Sequence, residues 1–260
     1  GSNIYLNRDG TRLFVRNQFN QIRIFNYDSG TTSWNFNQTI GGSKTYAVSS
    51  NSTNDALYVV SIRAIFGDPP TVDYTVYQFV GSSYSQISSR DPLDPQPEND
   101  VTTAQCYYND NGGTPVLVLI IGDWQNQRVI HYTYDFSTNT FGIGTTISQN
   151  VSEFGRQIQI SQETNEEGQF LVVGSSAGSF YVYTSDSVAT PNYTLQASAS
   201  GSGNFGRYVG ISSQTKYIVT SNTNETVSGL TSAGTVFILV PSGSTYVESA
   251  YSMDGTITGN

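Results

Sequence analysis

Nucleophilic catalysis needs a serine or cysteine beside a histidine and an orienting acid, and this chain offers one histidine, His131, and one cysteine, Cys106. Each sits inside an apolar and aromatic run, VIHYTY for His131 and QCYY for Cys106. That context suits a strand histidine with a structural role and a cysteine acting as a small buried hydrophobe. A lone cysteine forms no internal disulfide, and a zinc centre lacks ligands. Glycoside hydrolysis needs two carboxylates projecting toward one bond. The acids here fall mostly in turn-like stretches: Asp9, Asp28, Asp55, Asp68, Asp110, Asp123, Glu163, Glu166 and Glu167. Their placement disfavours an enzyme and leaves a glycan-processing activity as the alternative.

Binding chemistry is better represented. Phe19, Phe66 and Trp124 stand in polar stretches (RNQFNQ, SIRAIFGDPPTVD, GDWQNQ) where no alternation calls for an apolar residue. A ring flanked by amides and carboxylates can stack on a sugar or anchor a protein partner. The expected ligand-contacting set is Phe19, Asp68, Asp123, Trp124, Gln125 and Asn224, with Phe66 expected to fold over its own core. The partner is expected to be a glycan or a protein. A net charge of −9 with only two lysines, Lys44 and Lys216, would repel phosphate backbones and anionic lipid, which argues against nucleic acid and membrane surfaces. No run of 18 apolar residues occurs, so a soluble chain without membrane insertion is expected.

The elements that must carry these residues are short and extended. Residues 154–183 (FGRQIQISQETNEEGQFLVVGSSAGSFYVY) read as three strands with polar turns, and a near-copy follows at 205–238. Four-strand groups precede them at 3–7, 12–15, 21–27 and 33–40; at 46–50, 56–61, 73–79 and 83–88; and at 102–108, 116–121, 128–135 and 140–148. An aromatic opens each fourth strand, Trp34, Tyr84, Phe141, Tyr193 and Tyr246, at intervals of 50, 57, 52 and 53 residues. A four-stranded sheet repeated at that period is what a β-propeller blade requires, because one such sheet cannot bury both faces alone. The expected fold is therefore all-β, a single β-propeller domain over 1–260 with five four-stranded blades at about 3–43, 44–90, 101–150, 151–200 and 201–250. The proline-rich piece 91–100 is expected to be a connector, since proline donates no ladder hydrogen bond. A pair of β-sandwiches is the competing fold.

The phrases FGRQIQIS…FLVVGSSAGSFYVY and FGRYVGIS…YIVTS…SAGTVFILV resemble the FG-GAP repeats of integrin α-chain propellers, over residues 153–250. In that resemblance Phe154 and Phe205 plug the space between blades, while Gly155 and Gly206 allow close backbone approach. It also implies calcium in the loop between strands one and two. The nearest match here is Asn109, Asp110 and Asn111, which lacks the three spaced carboxylates of a strong site and is also an ordinary tight turn. No other cofactor is expected. Sequons at Asn37, Asn51, Asn150, Asn192 and Asn224, low charge and abundant Ser, Thr, Asn and Tyr fit an extracellular, cell-surface or virion-surface setting. The Gly1-Ser2 start suggests a module of a longer surface protein. The expected function is non-enzymatic recognition or adhesion, with a rigid structural spacer as a further alternative.

Overall fold

A computed structural model describes residues 4–42, 44–50, 56–65, 71–98, 101, 103–110, 114–161, 169–187, 190–201, 203–212, 217–222, 235–242 and 245–248. The described residues are almost entirely strand and turn, with one short 3-10 turn at Trp124–Asn126. No helix among them is long and apolar enough to cross a membrane. The chain falls into two compact units. One comprises Gly1–Ile121 and Ile130–Thr145, the other Gly122–Val129 and Thr146–Asn260.

In the first unit, β1 (Ile4–Leu6), β2 (Arg12–Arg16), β3 (Gln21–Asp28) and β4 (Ser33–Gly42) form an antiparallel meander. Alternation in β3 decides its faces: Ile22 and Ile24 are fully buried while Arg23 between them is exposed. Side-chain oxygens close the turns. Asp28 accepts from the Gly30 amide, and Asp9 accepts from the Thr11 amide, both at 2.9 Å.

Phe14, Ile22, Ile24 and Ile40 on the inner face pack with Tyr46, Val48, Val59 and Tyr84 from the next group of strands. Arg12 ties that contact, its guanidinium 3.8 Å from the Phe79 ring centroid and donating to the Tyr84 hydroxyl at 3.1 Å. The opposite face stays open, with Ile4, Leu6 and Phe36 more than half exposed.

The second and third groups differ from separate four-stranded sheets. β5 (Thr45–Ser50), β6 (Tyr58–Ile65), β7 (Thr71–Val80), β8 (Ser83–Gln86), β9 (Asp91–Pro92), β10 (Thr103–Asn109), β11 (Val116–Asp123), β12 (Arg128–Asp135), β13 (Thr140–Phe141) and β14 (Thr145–Ser148) join one ten-stranded sheet. The joint is a parallel pairing of β5 with β10, Ser49 opposite Cys106 and Ser50 opposite Tyr107.

The described side chains of both strands are mostly buried, and so are all eight residues of β11, six of them in the apolar run Val116–Ile121. Two further departures have local causes. The strand expected over 140–148 breaks because Gly144 lies against the Tyr132 ring and Ile130, where a Cβ would come within 2.8 Å of the Ile130 side chain. The proline-rich connector contributes β9, which pairs with β7 through Asp91 and Pro92, and Leu93 behind it is buried in the core.

In the second unit, β15 (Gln157–Ile160), β16 (Phe170–Ser175), β17 (Ser179–Thr184) and β18 (Thr194–Ser200) form one antiparallel sheet. β19 (Val209–Ile211), β20 (Ile218–Asn222), β21 (Thr235–Ser242) and β22 (Thr245–Glu248) form the next. Their facing sides share one core of Val172, Phe180, Val182, Phe205, Ile218 and Leu239. Each fully buried side chain of this size contributes roughly 1.5–3 kcal/mol.

The approach is repeated at a common sequence offset. Gly155, φ +89°, faces the Arg128 carbonyl, which a Cβ would meet at 2.6 Å. Gly206, φ +84°, faces the Ser179 carbonyl still more closely. The phenylalanine before each glycine is buried edge-on against the third strand of its own sheet, Phe154 with Tyr181 at 5.4 Å and Phe205 with Phe237 at 5.3 Å.

His131, in β12, is only 5% exposed, and burial holds its imidazole neutral, with the pKa pulled down to about 4. Because the folded value lies below the unfolded one, the unfolded chain takes the proton first as pH falls. The contribution is therefore intact above the unfolded value and lost between about pH 6.5 and 4. Urea unfolding of wild type and His131→Gln is expected to differ by about 3 kcal/mol less at pH 4 than at pH 7. A pH-independent difference would contradict a buried neutral imidazole.

Candidate ligand-binding surface

Phe19 is carried by the tight turn between β2 and β3. Asn17 builds that turn: its Oδ1 accepts from the Phe19 amide at 2.9 Å and the Gln21 amide at 3.0 Å, while its Nδ2 donates to Gln21 Oε1 at 3.0 Å. Asn20 takes the left-handed conformation, φ 61°, that lets the chain reverse. The ring is thereby held away from the core and is 71% exposed.

Below it runs a groove of about 630 Å³ along the open face of the first sheet. Leu13, Val15, Phe25 and Trp34 supply its apolar lining, and Arg16, Arg23, Asn17 and Gln18 its polar lining. The Arg23 guanidinium lies 5.3 Å from the Phe25 ring and 5.0 Å from Phe36. Tyr27 and Trp34 pack with centroids 5.3 Å apart. Flat rings beside amide and guanidinium donors can take a face with C–H groups on one side and hydroxyls at its rim, which is the chemistry of a sugar ring. The sequence reading found Phe19 but not Arg23, Phe25 and Trp34. Their signal was an outward register with apolar residues pointing inward between them.

The second unit carries Asp123, Trp124 and Gln125, and here the structure departs from the expectation. The Asp123 side chain is 1% exposed, accepting from Arg128 Nε at 2.6 Å and Asn126 Nδ2 at 3.0 Å. Its carboxylate thus closes the 3-10 turn between β11 and β12, with Gln127 in the left-handed region at φ 54°. It is held inside the turn, so it does not belong with the ligand-contacting residues. Trp124 is half-buried, with the Arg156 guanidinium 4.5 Å from its ring. Arg156 is in turn 3.6 Å from Glu153, which accepts from the Ser176 hydroxyl. One face of the indole is therefore occupied by a cation of the same unit, and Gln125 beside it is exposed.

Of the weak metal candidates, Asn109 is buried at the end of β10 and Asp110 is half-buried. Among the described residues no three His, Cys, Asp or Glu side chains cluster as metal ligands. Asn111, Asp68, Asn224 and Phe66 lie outside the described residues.

No family model and no curated protein matches the sequence. Solved structures do match. The chain is similar to a protein from Lactobacillus plantarum at 12% identity, covering 95% of this chain and 68% of that one, with a TM-score of 0.58. It is similar to Saccharomyces cerevisiae Sqt1 at 10% identity, covering 97% of this chain and 63% of that one, with a TM-score of 0.60. It therefore spans about two thirds of the length of these proteins. Likeness at such identities shows the fold alone: an all-β chain with the architecture of β-propeller proteins.

Removing the buried carboxylate with Asp123→Ala leaves the Arg128 charge unmatched, and is expected to cost about 2–3 kcal/mol of unfolding free energy. The exposed control Gln125→Ala is expected to stay within about 0.5 kcal/mol of wild type. Urea denaturation of both variants checks the contrast, and equal effects would contradict the structural role of Asp123.

Proposed function

We propose that this protein is a non-enzymatic recognition module that binds a glycan through the groove beneath Phe19. The observation that carries this reading is an exposed phenylalanine held by a rigid turn over a groove whose walls are both aromatic and hydrogen-bonding. An apolar side chain left 71% in water on a turn with five internal hydrogen bonds is stabilised by its backbone, not by burial. Its exposure gives the fold nothing, which favours a role in contact with a partner.

The wider reading is a propeller of five blades in which the second and third share a sheet, similar to FG-GAP repeats. It acts at a cell or particle surface as part of a longer protein. The glycine and phenylalanine pairs at 154–155 and 205–206 support the FG-GAP likeness, because each phenylalanine is buried and each glycine holds a conformation and a closeness that another residue would disturb.

Screening on a glycan array identifies a ligand, and titration of that ligand against Phe19→Ala and Trp34→Ala tests the groove. Each variant is expected to lose about tenfold or more in affinity. The melting temperature of Phe19→Ala should match wild type. Unchanged affinity in both variants would place the ligand elsewhere and sink this reading.

A further inference from the structure

The groove beneath Phe19 differs in charge from the chain that carries it. Its lining holds two arginines, Arg16 and Arg23, and neither an aspartate nor a glutamate, in a protein of net charge −9. The register sets Arg23 within the open face of the first sheet. It stands opposite Val15 of β2 and Thr39 of β4, while Ile22 and Ile24 on either side of it point into the core.

Several other arginines are matched by acids. Arg128 donates to Asp123, and Arg156 lies beside Glu153. Arg63 and Arg90 both pair with Asp73, in a smaller pocket of about 250 Å³ beside Gly41 and Gly42. Arg23 has no such partner. Among the described residues its guanidinium makes neither an ion pair nor a hydrogen bond, and it lies instead over the Phe25 ring at 5.3 Å and the Phe36 ring at 5.0 Å. Those two rings are themselves packed edge to face, with centroids 5.9 Å apart.

Aromatic faces therefore hold the cation where a carboxylate would otherwise do so. A ring attracts the charge but accepts none of the N–H groups, which are left for an acceptor brought in by a ligand. Donors positioned in advance lose less freedom on binding than those of a lone surface arginine. The net charge does not oppose an anion at this spot. Charges beyond about 8–10 Å are largely screened at physiological salt, so one anionic group seated in the groove responds mainly to what lines it. An extended polyanion meets the whole acidic surface and is still repelled.

We infer that the glycan proposed to fill this groove is acidic, an inference that rests on that occupancy. A carboxylate or sulfate group on the sugar accepts from the Arg23 guanidinium, and the sugar ring lies on the aromatic lining. A neutral sugar satisfies the rings but not the cation, and an anion without a sugar satisfies the cation but not the rings.

An array that prints sialylated, uronic-acid and sulfated oligosaccharides beside their methyl-esterified or desulfated counterparts, with poly-L-glutamate as a sugar-free polyanion, tests it. Wild type is expected to bind acidic glycans about tenfold or more above their neutral counterparts and above poly-L-glutamate, and the leading class tells carboxylate from sulfate. Arg23→Gln should erase that preference. Arg207→Gln, which removes the same charge from the second unit, should keep it. Neutral counterparts bound as well as acidic ones would overturn the inference while leaving glycan binding in the groove standing. Poly-L-glutamate bound as well as the acidic glycans, or no glycan bound at all, would overturn both. A preference that survives Arg23→Gln would take the anion away from Arg23 and overturn the assignment. The wild-type array decides the acidic preference even if a variant fails to fold.

Discussion

Short antiparallel sheets with two apolar faces cannot stand alone in water, and the way each face is covered governs the rest of this structure. In the second unit the cover is the neighbouring sheet, brought in until backbone meets backbone. Gly206 lies against the Ser179 carbonyl and Gly155 against the Arg128 carbonyl, both in conformations with positive φ. At that separation Phe180, Phe205, Ile218 and Leu239 share one buried core. In the first unit the same need is met differently. β5 and β10 pair in parallel, and one continuous sheet replaces two separate ones.

Where cover stops, a face is left open to solvent. The open face of the first sheet keeps Leu13, Val15, Phe25 and Trp34 in a groove instead of a core, and the Asn17 turn adds Phe19 at its rim. The Asp73 pocket arises from the opposite circumstance. A polar sheet face is closed in by Gly41, Gly42 and Arg90, and the Asp73 carboxylate on it is 7% exposed and ion-paired with Arg63 and Arg90.

Much of the strand layout was legible because alternation is a local property: Ile22 and Ile24 around Arg23 announce one buried face, and the recurrent aromatics set the period. The parallel joint between β5 and β10 was not, since pairing partners distant in sequence leave no local mark on either strand. Gly144 broke the expected strand over 140–148 for a reason visible only in three dimensions, the nearness of the Tyr132 ring.

At the sites, Phe19 was readable as an apolar residue without an apolar neighbour, whereas Asp123 looked alike in sequence and proved to be held by Arg128 five residues on. Asp73 went unnoticed although an acid within TVDYTVY is itself a signal: a charge inside an alternating strand must be matched by something across the sheet.

The most direct test of the account is the unfolding free energy of Gly206→Ala set against Gly210→Ala. Gly210 lies in the neighbouring strand β19 with nothing within 4 Å of an added Cβ. If close approach of the two sheets is what holds the second unit together, Gly206→Ala should lose about 2 kcal/mol or more, with hydrogen exchange accelerating in both β17 and β20. Gly210→Ala should change little. Equal stability of the two variants would contradict the account.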